Sequence, residues 1–179
     1  SGGCDSMAAL DFLRRSHEVL VLHYNHGTPS SDEAEKIVRE YCNNHSLILK
    51  CAKNTESPPP GASLEDFWRS KRYNFFEGER DSLLVVTCHQ TWLFTSLHGN
   101  PYLIPQIRDC FIRPFLQTRK AVFEDWCDRK NVPYAEDPSN CDTRFTRNFI
   151  RHEMISKALV VNPGLHKVLR KKLKGVFLE

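Results

Sequence analysis

The chain has 179 residues, of which 40% are hydrophobic and 26% charged, as is typical of one globular domain or one domain with a short extension. It has no run of 18 apolar residues and no basic-then-apolar N-terminal signal, so we expect no membrane partner and a cytoplasmic location. The net charge of +3 is too small to indicate a nucleic-acid partner by itself.

The cysteines are seven in number, and none forms a C-x-x-C pair. An odd count without paired spacing argues against a disulfide framework or a zinc site and favours reduced thiols. Cys42, Cys51 and Cys127 lie within apolar patterns, so we expect them to pack as small hydrophobic side chains.

Helix and strand patterns alternate along the first part of the chain. Good helix formers fill positions 7–15, and short apolar runs at 19–22, 47–51 and 83–87 predict buried strands. The proline-rich segment 54–62 predicts a loop. This alternation predicts an α/β fold built on a doubly wound parallel sheet.

Two further helices have start signals. Ser30 and Glu33 form a capping-box pattern. The apolar positions of the helix that would follow are Ala34, Ile37, Val38, Tyr41 and Cys42. Ser63 is the expected N-cap of a third helix that ends near Phe76.

A boundary near Pro114 divides the chain into a sheet domain, 1–113, and a small helical extension, 114–179. In the extension, Thr118 can cap a helix that reaches Lys130. One side of that helix would carry Val122, Phe123, Trp126 and Cys127. Beyond it we expect a polar loop over 131–146, helical structure over 147–158 and a further helix opened by Asn162-Pro163.

Positive charge concentrates in the last part of the chain. From residue 144 onward the acidic residues are Glu153 and Glu179. The basic residues there are Arg144, Arg147, Arg151, Lys157, Lys167, Arg170, Lys171, Lys172 and Lys174. This face either meets phosphates or is a solvated helix surface, and charge alone leaves both readings open.

The opening segment, S-G-G-C-D-S, has the composition of an anion-binding loop. Gly2 and Gly3 allow the backbone to approach an anion closely, and free amides at a following helix start would point at it. The Ser1 and Ser6 hydroxyls can donate further hydrogen bonds. Asp5 suits this place only as a helix cap or as a Mg²⁺ ligand. The ordinary alternative is a glycine turn with an aspartate cap.

This string resembles the S-G-G-x-D-S PP-loop of the N-type ATP-pyrophosphatases, in which the loop grips pyrophosphate while ATP adenylates an oxygen. Three later stretches resemble one family within that group, the tRNA(Ile)-lysidine synthetases. They are N-H-G at 25–27, S-L-E followed by R-x-x-R-Y at 63–73, and E-D-P-S-N-x-D through I-R-H-E at 136–153. I-R-P-F-L at 112–116 fits the segment that leads into the last stretch.

The resemblance implies a PP-loop fold of the adenine nucleotide α hydrolase type and a two-step ligation. The wobble cytidine of a tRNA(Ile) with a CAU anticodon is adenylated at its 2-oxygen by ATP, and pyrophosphate leaves. The side-chain amine of free L-lysine then attacks the 2-carbon, and AMP leaves. ATP and Mg²⁺ are the implied cofactors, and a flipped-out base is expected because stacking hides the reactive edge.

Roles follow from the matching positions. The residues expected to hold phosphates and metal are Ser1, Gly2, Gly3, Asp5 and Ser6, with Asp5 as the metal ligand. Those expected to line the ATP and base pocket are His26, Arg69, Arg72 and His89. The residues expected to be catalytic are Asp5, His89, Arg69 and Arg72. Those expected on the tRNA side are Asp137, Asn140, Arg147 and Arg151. Independently of the family, the spacing of Glu65, Arg69 and Arg72 puts them on one helix stripe.

One family motif is incomplete. The lysidine synthetases carry H-x-x-D-D-x-x-E-T after the strand that ends here at Thr87, whereas this chain reads C-H-Q-T-W-L at 88–93. Either the protein lacks about six residues between Gln90 and Thr91, including metal-placing carboxylates, or the printed sequence omits them. We favour omission, which predicts that the Cα atoms of Gln90 and Thr91 lie farther apart than the 3.8 Å of a trans peptide.

Two other functions remain open. Another adenylating enzyme of the superfamily, such as a tRNA thiolase, is one, although such thiolases often need C-x-x-C pairs that this chain lacks. The other is a non-catalytic PP-loop protein that binds tRNA or nucleotide, which the missing carboxylates would favour.

Overall fold

The structure is a computed structural model and describes residues 1–79, 85–86, 105–116, 118–136, 143, 146–165 and 167. The helices are α1 Cys4–Leu13, α2 Pro29–Asn44, α3 Leu64–Glu77, α4 Lys120–Lys130, α5 Thr146–Phe149, a π-helical turn Ile150–Met154 and α6 Ile155–Val161. The strands are β1 Leu20–Asn25, β2 Ile48–Lys53, β3 Val85–Val86, β4 Ile107–Arg108 and β5 Phe111–Ile112.

The strands confirm the α/β prediction. β1 and β2 pair in parallel, from Leu20 opposite Ile48 to Asn25 opposite Lys53, and α2 makes the crossover between them. β3 pairs in parallel with β5. The antiparallel pairing of β4 with β5 was not predicted. It follows from the tight turn at Asp109, whose φ of 53° lies in the left-handed region that short hairpins use.

The core lies between α1, α2 and α4. Met7 and Ala8 of α1 pack with apolar residues of α2 and with Phe123 and Cys127 of α4. Helix α4 therefore shares a core with the sheet domain, while the boundary near Pro114 stays a prediction. Cys42 and Cys127 are buried and Cys51 is half-buried, all as free thiols, so the expected packing role of these cysteines is confirmed.

Two helix starts differ from the predictions. Helix α2 begins after Thr28, not Ser30: the Thr28 hydroxyl accepts a hydrogen bond from Ser31 N at 3.2 Å. Pro29 then occupies the first helical position, where its missing N–H costs nothing. Helix α1 begins at Cys4 instead of residue 7, because Gly3 is its N-cap and Gly3 O accepts from Met7 N at 3.0 Å.

Helix α4 also begins later than predicted. Thr118 is not its cap, since Thr118 N donates to Phe115 O at 3.0 Å in the preceding turn and Arg119 is the N-cap. Val122 was expected on the apolar side, but it is 51% exposed because it points away from α1. The Ser63 cap of α3 is confirmed by the bond from Asp66 N at 3.4 Å.

Other predictions fall partly or wholly beyond the described ranges. Gln90 and Thr91 lie outside them, so their separation stays a prediction. Half of the loop expected at 131–146 also lies outside the described ranges. Helical structure over 147–158 is confirmed by α5, the π-helical turn and α6. Among the described residues, no helix has the length and apolarity needed to cross a membrane.

The carboxylate of Asp11 is a buried charge that joins the three core helices. Its oxygens accept hydrogen bonds from Arg14 Nη2 at 2.6 Å, Arg15 Nη2 at 2.8 Å, Tyr41 Oη at 2.5 Å and Trp126 Nε1 at 2.9 Å. Burial alone would raise the pKa of Asp11, but these hydrogen bonds outweigh burial and lower the pKa to about 2. Asp11 therefore stays ionised and links α1 to α2 and α4.

Replacing Asp11 by asparagine removes the charge and leaves two guanidiniums without their counter-ion. We expect Asp11→Asn to lower the free energy of unfolding by about 3 kcal/mol, measured by urea denaturation at pH 7. Asp125→Asn is the matched control, because Asp125 pairs with Arg129 on the exposed surface of α4. Its effect should stay within about 1 kcal/mol. Equal effects of the two substitutions would contradict a structural role for Asp11.

Candidate functional site

The backbone of the opening loop is held from two sides. Gly2 has φ of 77°, and a Cβ added to it would lie 2.9 Å from Ala34 Cβ and Ala34 O on α2. On the other side, Gly2 O accepts a hydrogen bond from Ala135 N at 2.9 Å, and Gly3 and Ala135 form a parallel bridge. Glycine at position 2 is thus required by both the conformation and the space.

Gly3 faces a different environment. Its φ is −76°, and a Cβ added to it would meet no atom within 4 Å among the described residues. It precedes the first turn of α1, whose amides have no acceptor within the helix. Ser6 Oγ donates to Gly3 O at 2.8 Å and lies 2.8 Å from Ser1 Oγ. The loop therefore combines open space at Gly3, a helix start and two hydroxyls, an arrangement that is suited to binding phosphate groups.

Asp5 is the second residue of α1 and is therefore not its N-cap. Its Oδ1 accepts a hydrogen bond from Lys120 Nζ at 3.0 Å, which brings the start of α4 to the loop. Burial would lower the pKa of Lys120, but the bond to Asp5 outweighs burial and raises it. Within the described ranges, no group of three or more His, Cys, Asp or Glu residues is placed to hold a metal ion.

The N-H-G segment after β1 is fixed by Asn25, which is fully buried. Its Nδ2 donates to Asp32 Oδ1 at 2.8 Å and Glu35 Oε2 at 2.7 Å, and its Oδ1 accepts from Gly27 N at 2.8 Å. Gly27 has φ of 80°, and a Cβ there would lie 2.9 Å from Asn54 O. The asparagine and the glycine of this motif thus set the path of the backbone.

His26 connects this segment to α3. Its ring centroid lies 5.0 Å from that of Trp68 and 5.4 Å from that of Tyr24, and the ring is half-buried. The expected nucleotide contact of His26 stays a prediction, but the structure places the residue against the helix that carries Arg69 and Arg72.

Two arginines of α3 lie next to the ring of Tyr73. The guanidinium carbons of Arg69 and Arg72 lie 5.8 and 6.0 Å from its ring centroid, and Phe111 packs against the ring at 4.9 Å. Arg113, which is 4% exposed, donates from Nη2 to Tyr73 Oη at 3.4 Å and from Nη1 to Pro105 O at 3.0 Å. The β4–β5 hairpin and α3 are therefore joined through this tyrosine.

A cleft of about 430 Å³ lies between α3 and the hairpin. Arg69 and Tyr73 line one wall, and Arg108 and Phe111 line the other. The guanidiniums and aromatic rings can contact a phosphate and stack against a base. The cleft is mixed in charge, because its lining also includes the acidic residues Asp66, Glu77 and Asp109.

The predicted site residues thus fall into two described groups. The first comprises Ser1, Gly2, Gly3, Asp5 and Ser6. The second joins His26 to Arg69 and Arg72. His89, Asp137 and Asn140 lie outside the described residues, as do the side chains of Arg147 and Arg151, whose backbones belong to α5 and the π-helical turn.

The sequence patterns did not single out two residues with a structural role at the loop or in the core, Asp11 and Lys120. Asp11 could have been found, because it lies three positions after Ala8 and four after Met7 and so falls on the apolar face of the helix. A carboxylate on that face implies buried partners. Nothing local distinguishes Lys120 from the other lysines. Its place beside the loop follows from how α4 packs on α1.

The two loop glycines are expected to respond differently to alanine. Gly2→Ala forces a positive φ and a clash with Ala34, so it should lower the free energy of unfolding by roughly 1–3 kcal/mol. Gly3→Ala is compatible with the backbone conformation and should change the free energy of unfolding by less than about 1 kcal/mol. Thermal and urea unfolding of both variants would check this, and an equal loss in both would refute the assigned loop geometry.

His23 on β1 should make stability depend on pH. The ring is 1% exposed, its nitrogens have no hydrogen-bond partner in the described part of the chain, and burial lowers its pKa to about 4 from 6.5. Between pH 6.5 and 4 the unfolded chain binds the proton and the folded one does not, so stability falls as pH falls. We expect the titration of His23 to lower the free energy of unfolding by about 3 kcal/mol between pH 7 and pH 4.

The measurement compares wild type with His23→Leu by urea denaturation across this range. The leucine variant should lose less stability on acidification, because it lacks the titrating group while sharing all carboxylates. Parallel pH profiles for the two proteins would contradict a depressed pKa.

Comparison with known proteins assigns the chain to the family that the opening loop indicated. The profile of the PP-loop domain family matches residues 1–158. The chain is 31% identical to a tRNA(Ile)-lysidine synthase of Treponema denticola, over 98% of this chain and 44% of the relative. It is 33% identical to a tRNA(Ile)-lysidine synthase of Malacoplasma penetrans, over 86% of this chain and 59% of that protein. The chain thus spans about half the length of these curated relatives.

A solved structure is similar in fold. The U34-tRNA thiolase NcsA from Methanococcus maripaludis, with its [4Fe-4S] cluster, superposes with a TM-score of 0.76 at 11% identity, covering 98% of this chain and 69% of that one. At that identity the likeness shows the fold alone. The resemblance drawn from the opening loop and the later motifs is confirmed: the chain belongs to the PP-loop domain family and is similar to tRNA(Ile)-lysidine synthases over most of its length.

Proposed function

We propose that this chain carries the ATP-dependent step of a tRNA(Ile)-lysidine synthetase, an ATP-dependent carbon–nitrogen ligase. In this reaction ATP adenylates the wobble cytidine of a tRNA(Ile) with a CAU anticodon, and free L-lysine displaces AMP. The curated relatives bear this enzyme's name, and the motifs at 25–27, 63–73 and 136–153 are the ones that resemble the family.

The observation that carries the proposal is the contrast between Gly2 and Gly3. Gly2 is required by the fold, whereas the space beside Gly3 is open and adjoins the start of α1. A glycine that the fold does not require, next to the N-terminal turn of a helix, supports a close approach by an anion.

The chain's own groups supply binding and charge neutralisation. The helix amides with the Ser1 and Ser6 hydroxyls would hold the leaving pyrophosphate, and they would stabilise the charge that develops on it. Asp5 is the residue of the loop that would hold Mg²⁺, because it is a carboxylate at the start of α1. When bound, Mg²⁺ would supply further charge neutralisation. His89 is proposed for the floor of the pocket.

The tRNA side of the site is proposed for α3 and the segment from 136 onward. Arg69 and Arg72, held against Tyr73, would contact phosphate or the flipped cytidine. Asp137, Asn140, Arg147 and Arg151 are proposed to shape the same face. Arg151 lies in a π-helical turn, and such turns occur often at functional sites.

A second candidate function is a PP-loop protein that binds nucleotide and tRNA without ligating lysine. The sequence favours it at one point, since the D-D-x-x-E carboxylates of the family are absent between 88 and 93. The two candidates predict the same ATP binding and differ in turnover. A thiolase has less support, because the sequence contains no C-x-x-C pair.

The deciding experiment measures ATP–pyrophosphate exchange by the protein with a tRNA(Ile) transcript bearing CAU, followed by AMP release on addition of L-lysine. The ligase predicts exchange that depends on this tRNA and AMP release that depends on lysine. A tRNA with a different anticodon is the substrate control. Binding of ATP without exchange would identify the non-catalytic protein.

Gly3→Ala tests the loop in the same assay. Its added methyl group would occupy the space proposed for phosphate, so we expect the exchange rate to fall at least about tenfold while the unfolding transition is unchanged. Gly78→Ala is the matched control, because Gly78 ends α3 with φ of −62° and a Cβ there makes only ordinary contacts. Wild-type exchange by Gly3→Ala would remove the loop from the mechanism.

A further inference from the structure

Among the described residues, Lys120 is a charged group from outside the loop that lies beside it. Its Nζ lies 3.0 Å from Asp5 Oδ1 and 4.0 Å from Glu124 Oε1. Lys120 is the first residue of α4, which packs on α1 through Phe123 and Cys127. The position of the ammonium relative to the loop is thus set by the core and not by the lysine alone.

The side-chain charge of the loop would repel an anionic ligand. Residues 1–6 contain Asp5 and no basic side chain, so a polyphosphate at the start of α1 would meet a carboxylate in the first helical turn. Like charges close together repel each other, and the repulsion grows where water is partly excluded. A cation beside Asp5 removes this repulsion.

The geometry of the ammonium allows more than shielding. A lysine ammonium has three N–H donors, and the bond to Asp5 uses one. Glu124 is too far for a hydrogen bond at 4.0 Å. The remaining donors can reach an oxygen bound at the loop, because Asp5 belongs to the same helical turn as the amides proposed to hold it.

We propose that Lys120 is a phosphate-binding residue of this site, whose ammonium bridges Asp5 and the pyrophosphate portion of ATP. The inference rests on the proposed function, since it assumes that the loop binds pyrophosphate. It assigns to α4 a direct part in substrate binding that the motif matches do not give it. The ordinary alternative is a surface ion pair, with both side chains partly exposed, at 45% for Lys120 and 29% for Asp5. Such pairs add little to stability and nothing to ligand binding.

The test measures the dissociation constants of inorganic pyrophosphate without Mg²⁺ and of ATP with Mg²⁺, by isothermal titration calorimetry on the whole protein. Lys120→Met keeps the length of the stem and removes the charge. We expect it to weaken pyrophosphate binding by about tenfold to a hundredfold, the effect of losing one charge-assisted hydrogen bond. Lys120→Arg should stay within about threefold of wild type, because it keeps a donor and the charge.

Arg129→Met is the matched control. Arg129 lies at the other end of α4 and also pairs with an aspartate, Asp125 Oδ2, at 2.6 Å. It should bind both ligands as wild type does. The thermal unfolding of each variant is recorded, so that a loss of affinity can be separated from a loss of folded protein.

A double variant separates phosphate binding from shielding. If Lys120 only neutralises Asp5, then Asp5→Asn combined with Lys120→Met should restore wild-type affinity for pyrophosphate in the absence of Mg²⁺. Restoration would overturn the proposal, as would wild-type affinity in Lys120→Met. Failure of the wild-type protein to bind pyrophosphate and ATP would instead refute the proposed function, and the inference with it.

Discussion

The buried carboxylate of Asp11 is the interaction on which the geometry of this protein depends. It receives hydrogen bonds from two arginines of its own chain segment and from Tyr41 and Trp126 on two other helices. A buried charge is tolerable only when its partners are in place, so this carboxylate allows α1, α2 and α4 little freedom to shift against one another. The opening loop stands at the N-terminus of α1, and its position follows from this packing.

The loop itself is positioned by contacts with residues that are distant in the sequence. Ala34 on α2 limits the space at Gly2, Ala135 pairs with the loop backbone, and Lys120 on α4 meets Asp5. Each contact comes from a different part of the chain. An anion site of this kind is preorganised, because the surrounding helices have already fixed the amides that would bind the ligand.

Besides the loop surface proposed to bind phosphate, a second surface is proposed to face the tRNA base. His26 leaves the end of β1 and packs on Trp68, and Tyr73 holds the arginines of α3 against the β4–β5 hairpin through Phe111 and Arg113. The first surface suits phosphate, and the second combines guanidiniums with aromatic rings in a cleft. This division matches a reaction in which a nucleotide and an RNA base must meet, as proposed for this member of the PP-loop family.

The sequence by itself determined the fold class, the family and the helices with strong local signals, such as the apolar face of α2 and the Ser63 cap. These depend on interactions between residues a few positions apart, which periodicity and capping patterns record. The Thr28 cap of α2 and the antiparallel β4–β5 hairpin rest on local contacts that the sequence reading did not identify. The tertiary structure decided what depends on distant residues, above all that Asp11 is buried and bonded to Tyr41 and Trp126. It also decided that Lys120 pairs with Asp5. Those two residues are 115 positions apart in the sequence. No local pattern predicts their contact, which arises because α4 packs on α1.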